Sequence, residues 1–166
     1  MHTTLNLTLT NEINNHFENV LNQIEYKDES QLISEAKAGL SDLKSRALSS
    51  FVMTHIKQLE AMLEMLQDDK WSLSETNKKA ILSASHYLLD NNDVIPDDIP
   101  KIGLLDDCII IDIAAKKTKK ELDNYQDFDK TRKIYAKDNE FNINDWRKTK
   151  RQESFSRLRN RRNKRG

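Results

Sequence analysis

The sequence predicts an all-α protein: a bundle of about four main helices, with a turn rich in proline and aspartate before an apolar helix, and a basic C-terminal tail. Residues that interrupt helices are scarce, because the 166 residues include only three glycines and two prolines. Apolar residues recur every three or four positions over long stretches of the chain. This composition and this periodicity favour helices over strands.

The bundle is expected over residues 11–122, after a frayed segment of residues 1–10. A first helix begins at about Asn11, where apolar residues take up helical spacing. A second apolar stripe predicts one long helix over Ser30–Gln67, with Ser30 as its N-cap and Gly39 as a point that softens or divides it. A helix of this length is typical of a hairpin arm or of a dimer surface, so a homodimer through Ser30–Gln67 is one expected arrangement.

Two further helices and two less regular segments complete the predicted order. Ser72 and Glu75 have the spacing of a capping box, which predicts the start of a third helix. A fourth helix over 102–122 is apolar nearly all round its first half, so it is expected to be buried on several sides. Residues 123–146 are predicted as short helices or an irregular segment, and residues 147–166 as a disordered or conditionally helical tail.

The most informative segment lies between the third and fourth helices, where residues 87–107 read YLLDNNDVIPDDIPKIGLLDD. Its two prolines fix the local backbone and disfavour helix at the residues before them, so the chain turns here. The segment resembles the signature of the YkvA-like family of small helical bacterial proteins, which has no assigned activity. The resemblance covers residues 87–115 and implies a helical module there, without implying a reaction. Its defining positions are Tyr87, Asp93, Pro96, Asp97, Ile99, Pro100, Gly103, Asp106 and Asp107.

The aspartates of this segment allow two interpretations, of which the first is a metal site. Carboxylates at close spacing bind Mg²⁺ or Ca²⁺, so Asp93, Asp97, Asp106 and Asp107 are the candidate ligands of a metal-dependent enzyme. Their spacing does not follow the calcium-loop pattern, and the four histidines of the chain lie on separate segments. The metal hypothesis is therefore the weaker of the two.

The favoured interpretation of these aspartates is structural. Asp97 or Asp98 is placed to accept amide protons at the start of the fourth helix, and Asp106 and Asp107 lie in its first turns, where negative charge is stabilising. Asp107 borders the apolar face of that helix, so its carboxylate needs hydrogen-bond partners. Tyr87, His86 and the amides of the loop are the expected partners.

The sequence indicates neither a catalytic site nor a cofactor. The single cysteine, Cys108, lies in the apolar helix and is predicted to be a buried structural thiol. Glycine-rich phosphate loops, nucleotide fingerprints and serine elbows are absent from the sequence. No signal peptide is evident, and the longest apolar stretch, 102–115, is too short and too charged to span a membrane. We expect a cytoplasmic protein without a cofactor.

Charge is sorted along the chain, although the formal net charge is zero. Residues 147–166 carry ten Lys or Arg and one Glu, a net of +9, so the other 146 residues carry a net of −9. Arginine outnumbers lysine seven to three in this tail, and guanidinium groups bind phosphates bidentately and stack on bases. The candidate nucleic-acid-binding residues are Arg147, Lys148, Lys150, Arg151, Arg157, Arg159, Arg161, Arg162, Lys164 and Arg165.

These observations predict a non-enzymatic binding or regulatory protein whose tail engages RNA, DNA or the ribosome. An anionic membrane surface attracts the same residues, although few apolar residues accompany them. A tail that pairs with the acidic body or with an acidic protein is a further alternative, as is a helical interaction scaffold in which the tail is incidental.

Overall fold

The computed structural model describes residues 10–90, 103–135 and 140–164. These residues form six α-helices and no strand, which confirms the predicted all-α class. In chain order the helices are α1 (Asn11–Gln23), α2 (Glu29–Ser45), α3 (Ser50–Gln67), α4 (Glu75–Leu89), α5 (Leu105–Tyr135) and α6 (Ile143–Asn163). The positions that lie outside the described residues include Asp93, Pro96, Asp97, Ile99, Pro100 and Arg165.

Polar side chains cap the N-termini of five helices. Each accepts a hydrogen bond from an amide two or three residues ahead, which satisfies donors that the helix leaves without an internal partner. The caps are Thr10, Asp28, Ser49, Ser74 and Asn142. The caps predicted at Ser30 and Ser72 are each two residues from those observed for α2 and α4, because Asp28 and Ser74 bind the first-turn amides instead.

The predicted single helix over 30–67 is wrong, because two helices, α2 and α3, occupy this stretch. Helix α2 ends where the Arg46 amide donates to the Leu43 carbonyl at 3.1 Å. Helix α3 begins after Ser49, which caps its N-terminus. Gly39, the expected point of division, lies inside α2. The two helices pack against each other as a hairpin.

The apolar stripes of α2 and α3 face the interior of the chain. Leu59 and Leu63 of α3 are fully buried, as are Met62 and Met65. Methionine adapts to irregular gaps, and here it fills the core. These four side chains are therefore buried within a single copy of the chain.

The central helix is α5, and both α3 and α4 pack along it. Its first half is buried on several sides, as predicted, with Ile110, Ile111 and Ile113 almost fully covered. Removing a side chain of this size from water stabilises the fold by about 1.5–3 kcal/mol. This half of α5 therefore holds the other helices of the body together.

The second half of α5 is longer than predicted and continues to Tyr135. It does so because Tyr125, Phe128 and Thr131 are buried at three-residue spacing and extend the packed stripe of the helix. The basic run at 116–120 consequently lies in the middle of α5, where its lysines project from a continuous helix.

The sixth helix forms where the sequence predicts an irregular segment followed by a disordered or conditionally helical tail. Asn142 and Asp145 make a capping box at its N-terminus, and these reciprocal hydrogen bonds stabilise the first turn. It packs on α5, and none of its described side chains is buried. No described helix combines the length and the apolar character needed to cross a membrane.

Candidate nucleic-acid interface

The described ends of the signature segment are joined by a side-chain hydrogen bond. Tyr87, near the end of α4, donates from its hydroxyl group to the Asp106 carboxylate at the start of α5, over 3.0 Å. Asp106 and Asp107 are only 0% and 2% exposed. The sequence predicts Tyr87 as a partner of Asp107, and in the structure Tyr87 donates to the neighbouring Asp106. This bond joins the end of α4 to the start of α5.

The backbone at the start of α5 takes an uncommon conformation. Leu104 has a φ of 66°, in the left-handed region that costs a residue other than glycine about 1 kcal/mol or more. Its side chain is buried, and its carbonyl accepts the Cys108 amide at 3.0 Å. Packing and this first hydrogen bond of α5 therefore hold Leu104 in place.

The described signature residues Tyr87, Asp106 and Asp107 are buried where α4 meets α5. Among the described residues no group of three or more His, Cys, Asp or Glu side chains is arranged to hold a metal ion, and the candidates Asp93 and Asp97 lie outside that part of the chain. Cys108 is buried, as predicted. Burial, together with the charges of Asp107 and Asp106, raises the pKa of the Cys108 thiol to about 12. The thiol therefore stays protonated near neutral pH.

Five aromatic side chains join the end of the chain to the body. The Trp71 ring lies 5.5 Å from that of Tyr125 and 5.3 Å from that of Phe128, between centroids. The Trp146 ring lies 5.8 Å from that of Trp71, between centroids. Phe141 stacks on Phe128 at 6.0 Å. Such pairs contribute about 0.5–1.5 kcal/mol each beyond their buried area, so this aromatic cluster fixes where α6 begins.

A polar network borders the aromatic cluster. Asp68, the C-cap of α3, accepts the Tyr125 hydroxyl at 3.0 Å and pairs with Arg132 at 2.8 Å. Arg132 also pairs with Asp129 at 2.6 Å and lies over the Phe128 ring, 4.9 Å from its centroid. Burial raises the pKa of Asp68, but hydrogen bonds from Arg132, a backbone amide and Tyr125 outweigh it, so the pKa lies below its ordinary value.

The first turns of α6 are held on α5 by a single carboxylate. Asp127 accepts the indole N–H of Trp146 at 2.6 Å and pairs with the Lys150 ammonium at 2.8 Å. Burial raises the pKa of Asp127, but the hydrogen bonds from Lys150 and Trp146 outweigh it and lower the pKa. Beyond Glu153 the helix leaves the body: residues 154–164, termed the arm, are all exposed.

Most basic side chains of α6 are not engaged by the acidic body. In the described part of the chain, Lys150 pairs with Asp127 and Glu153, and Arg157 lies 3.8 Å from Glu153. Lys150 thus serves to dock α6, although the sequence predicts it as a nucleic-acid ligand. Seven described cations, six in α6 and one at its C-cap, form no ion pair with any described residue: Arg147, Lys148, Arg151, Arg159, Arg161, Arg162 and Lys164.

A cleft of about 500 Å³ lies between the start of α4, the middle of α5 and the first turns of α6. Its wall includes three cations, Lys117, Lys120 and Arg147, and two indoles, Trp71 and Trp146. None of these cations forms an ion pair within the described ranges. Because Arg147 belongs both to the cleft and to α6, the cleft adjoins the unpaired cations of the helix.

Sequence reasoning missed this cleft. Lys117 and Lys120 are three residues apart, so they share one face of α5, but nothing local connects that face with Trp71 or Trp146. The signal that was available is the rarity of tryptophan: the chain has two, and both line the cleft. A long-range aromatic contact brings the lysines, the indoles and Arg147 together.

Comparison of the chain with models of protein families, with curated protein sequences and with solved structures finds no match. The resemblance to the YkvA-like family therefore depends on the signature residues alone, and a functional assignment depends on the charge and geometry of α6 and the cleft.

Proposed function

We propose that the chain is a nucleic-acid-binding protein in which the helical body presents α6 to the phosphates of RNA or DNA. The observation that carries this proposal is the absence of ion pairs, within the described residues, for seven cations of α6 and its C-cap. Residues 1–146 carry a net charge of −9. A tail whose role was to neutralise that body would fold back on its carboxylates, whereas the arm is exposed throughout.

The kind of contact follows from the side chains available. Five of the seven unpaired cations are arginines, whose planar guanidinium groups bind phosphate oxygens bidentately. Phosphate contacts of this type are insensitive to sequence and release counterions, so binding weakens steeply as salt is added. Because contacts to phosphate carry no direct information about base sequence, we expect low sequence specificity.

Docking explains why a helix is used in place of a flexible tail. Trp146 and Lys150 fix the first turns of α6 on Asp127, and the arm then continues in the direction that those turns set. A preformed helix loses less conformational freedom on binding than a disordered segment does. Docking on the body therefore holds the cations of the arm away from the acidic residues of the body.

The test compares three neutral substitutions in the arm with three elsewhere. Arg159→Gln, Arg161→Gln and Arg162→Gln together remove three charges while keeping helix propensity, because Arg and Gln are similar helix formers. The matched control changes three exposed lysines of the body, Lys27, Lys37 and Lys57, to Gln. We expect the arm variant to bind a labelled oligonucleotide at least tenfold more weakly, a loss of about 1.4 kcal/mol, and the control to bind normally. If both variants lose the same affinity for the oligonucleotide, binding depends on the total charge of the protein and not on the arm, which would contradict the proposal.

A second candidate function is binding to an anionic membrane surface, and two residues favour it. Phe155 and Leu158 are 67% and 55% exposed on the arm, at a spacing that places them on one helix face. Exposed apolar groups flanked by arginine insert into anionic bilayers. In sedimentation with phosphatidylserine vesicles, Phe155→Gln with Leu158→Gln would abolish lipid binding, while oligonucleotide binding that depends on arginine would remain.

A further inference from the structure

The cleft beside α6 has features that the arm lacks. It is an open recess of about 500 Å³, a volume in the range of small-molecule sites, and it is lined by both tryptophans of the chain. The arm supplies charge on an exposed helix, whereas the cleft combines charge with flat aromatic surfaces. This combination selects for a ligand that has both a phosphate and a ring.

The charge of the cleft favours an anion. Lys117, Lys120 and Arg147 line it without an ion-pair partner among the described residues. The carboxylate in the wall, Glu121, accepts a hydrogen bond from the side-chain amide of Asn77, which holds it in place. Three cations against one engaged carboxylate leave a net positive site.

The indoles of the cleft are held in position before any ligand arrives. Trp146 is fixed by its hydrogen bond to Asp127, and Trp71 is packed against Tyr125 and Phe128. Both tryptophans are partly exposed. A rigid aromatic surface costs little conformational entropy on binding, so stacking on it is effective.

We propose, on the basis of the nucleic-acid function above, that the cleft takes up one unstacked nucleotide and makes the protein selective for single-stranded RNA or DNA. The base stacks on an indole, and its phosphate contacts Lys117, Lys120 and Arg147. A duplex keeps its bases stacked and paired, so it reaches the arm but leaves the cleft empty. Stacking of one base on an aromatic side chain corresponds to about tenfold in affinity.

The experiment uses the full chain and two paired-lysine variants. Lys117→Gln with Lys120→Gln removes two cations of the cleft. The control, Lys116→Gln with Lys119→Gln, removes two cations from the same stretch of α5 that pair with Asp112 and Asp123 on the surface. Each protein is titrated with a labelled single strand and with a duplex of equal length. Intrinsic fluorescence is recorded as well, because every tryptophan of the chain lines the cleft.

The expected result is about tenfold tighter binding of the single strand than of the duplex, with fluorescence quenching by the single strand alone. The cleft variant loses the preference and keeps duplex binding, whereas the control variant keeps both. Equal affinity for the two ligands, or a preference that survives in the cleft variant, overturns this inference and leaves the proposed function standing. Failure to bind either ligand overturns the proposed function itself.

A free nucleotide carries the same phosphate and ring, so a separate titration distinguishes it from a strand. A nucleoside monophosphate is added alone and as a competitor. If the monophosphate quenches the fluorescence at concentrations as low as the strand requires, the strand adds no affinity beyond that of one nucleotide. That result would assign the cleft to a free nucleotide and contradict single-strand selection. Quenching by the strand at much lower concentration supports the inference.

Discussion

The indole N–H of Trp146 donates a hydrogen bond of 2.6 Å to the carboxylate of Asp127. The two residues belong to α6 and α5, and the same carboxylate also pairs with Lys150. One acidic side chain thus joins a basic helix to an acidic body while using a single cation of that helix. The attachment leaves the unpaired arginines available to a partner.

Removal of the Asp127 carboxylate should loosen α6 without unfolding the body. In Asp127→Ala, Trp146 and Lys150 lose their shared acceptor, and hydrogen bonds to a charged group contribute about 1.5–3 kcal/mol. We expect amide hydrogen exchange in the first turns of α6 to accelerate about tenfold or more, with the exchange of α3 unchanged. Asp123→Ala is the matched control, because Asp123 pairs only with the exposed Lys119 in the described structure. Unchanged exchange in α6 would show that the aromatic contacts suffice to dock it.

The acid stability of the fold should depend on Asp68. The pKa of Asp68 in the folded protein lies below the ordinary value of 3.8. As the pH falls, the Asp68 carboxylate is therefore protonated in the unfolded chain before it is protonated in the folded protein. Its contribution is therefore fully present above about pH 5, and it is lost as the pH drops through the lowered pKa of the folded state. Asp127 and Asp129 have lowered pKa values as well and act in the same direction.

Asp68→Asn tests this dependence. The variant keeps the shape of the side chain but loses the charge that pairs with Arg132, and we expect it to lower the free energy of unfolding at pH 7 by roughly 1–3 kcal/mol. The difference from the wild type should shrink as the pH falls below about 4. Asp69→Asn is the control, since the Asp69 side chain is 85% exposed. A pH-independent difference in urea denaturation would contradict a role for the Asp68 charge.

Cys108 should be inert in the folded protein. Raising the pKa of its thiol from 9.0 to about 12 lowers the thiolate fraction about a thousandfold, and burial also blocks access. We expect a thiol-reactive chromophore to label Cys108 only after denaturant is added. Labelling of the native protein at the rate of a free cysteine would mean that the start of α5 opens readily.

Gly39 offers a test of how α2 packs on α4. A Cβ atom at this position would lie 3.3 Å from Leu89 Cδ2, the end of a flexible and partly exposed side chain. Alanine gains about 1 kcal/mol in helix propensity over glycine, and Leu89 needs to move by only a few tenths of an ångström. We expect Gly39→Ala to raise the melting temperature and the larger Gly39→Val to lower it. A lower melting temperature for Gly39→Ala would mean that Leu89 of α4 cannot move aside for the added methyl group.

Local signals in the sequence predicted part of the fold. Apolar periodicity identified the all-α class and the buried first half of α5, because those properties depend on residues three or four positions apart. It failed at residues 46–49, where two stripes of similar period run into each other and the helices are separated by local hydrogen bonds at Arg46 and Ser49. It also ended α5 too early, since Tyr125 and Phe128 stand in a polar background.

The candidate site divides in the same way. The basic residues of the tail can be read directly from the sequence, so each of them could be named as a candidate for binding nucleic acid. The cleft was not predicted, because Trp71, Lys117 and Arg147 meet only when α6 docks on α5. The docking itself depends on the contact between Trp146 and Asp127, which no local pattern marks.

The central claim is that the arm binds phosphates, and the salt dependence of binding tests it most directly. The affinity for a single-stranded oligonucleotide is measured over a range of salt concentrations for the wild type and for the variant with Gln at Arg159, Arg161 and Arg162. Each lost phosphate contact reduces the slope of log K against log salt by about 0.7–0.9, so three lost contacts should reduce it by about 2–3. The same slope for both proteins would contradict the claim.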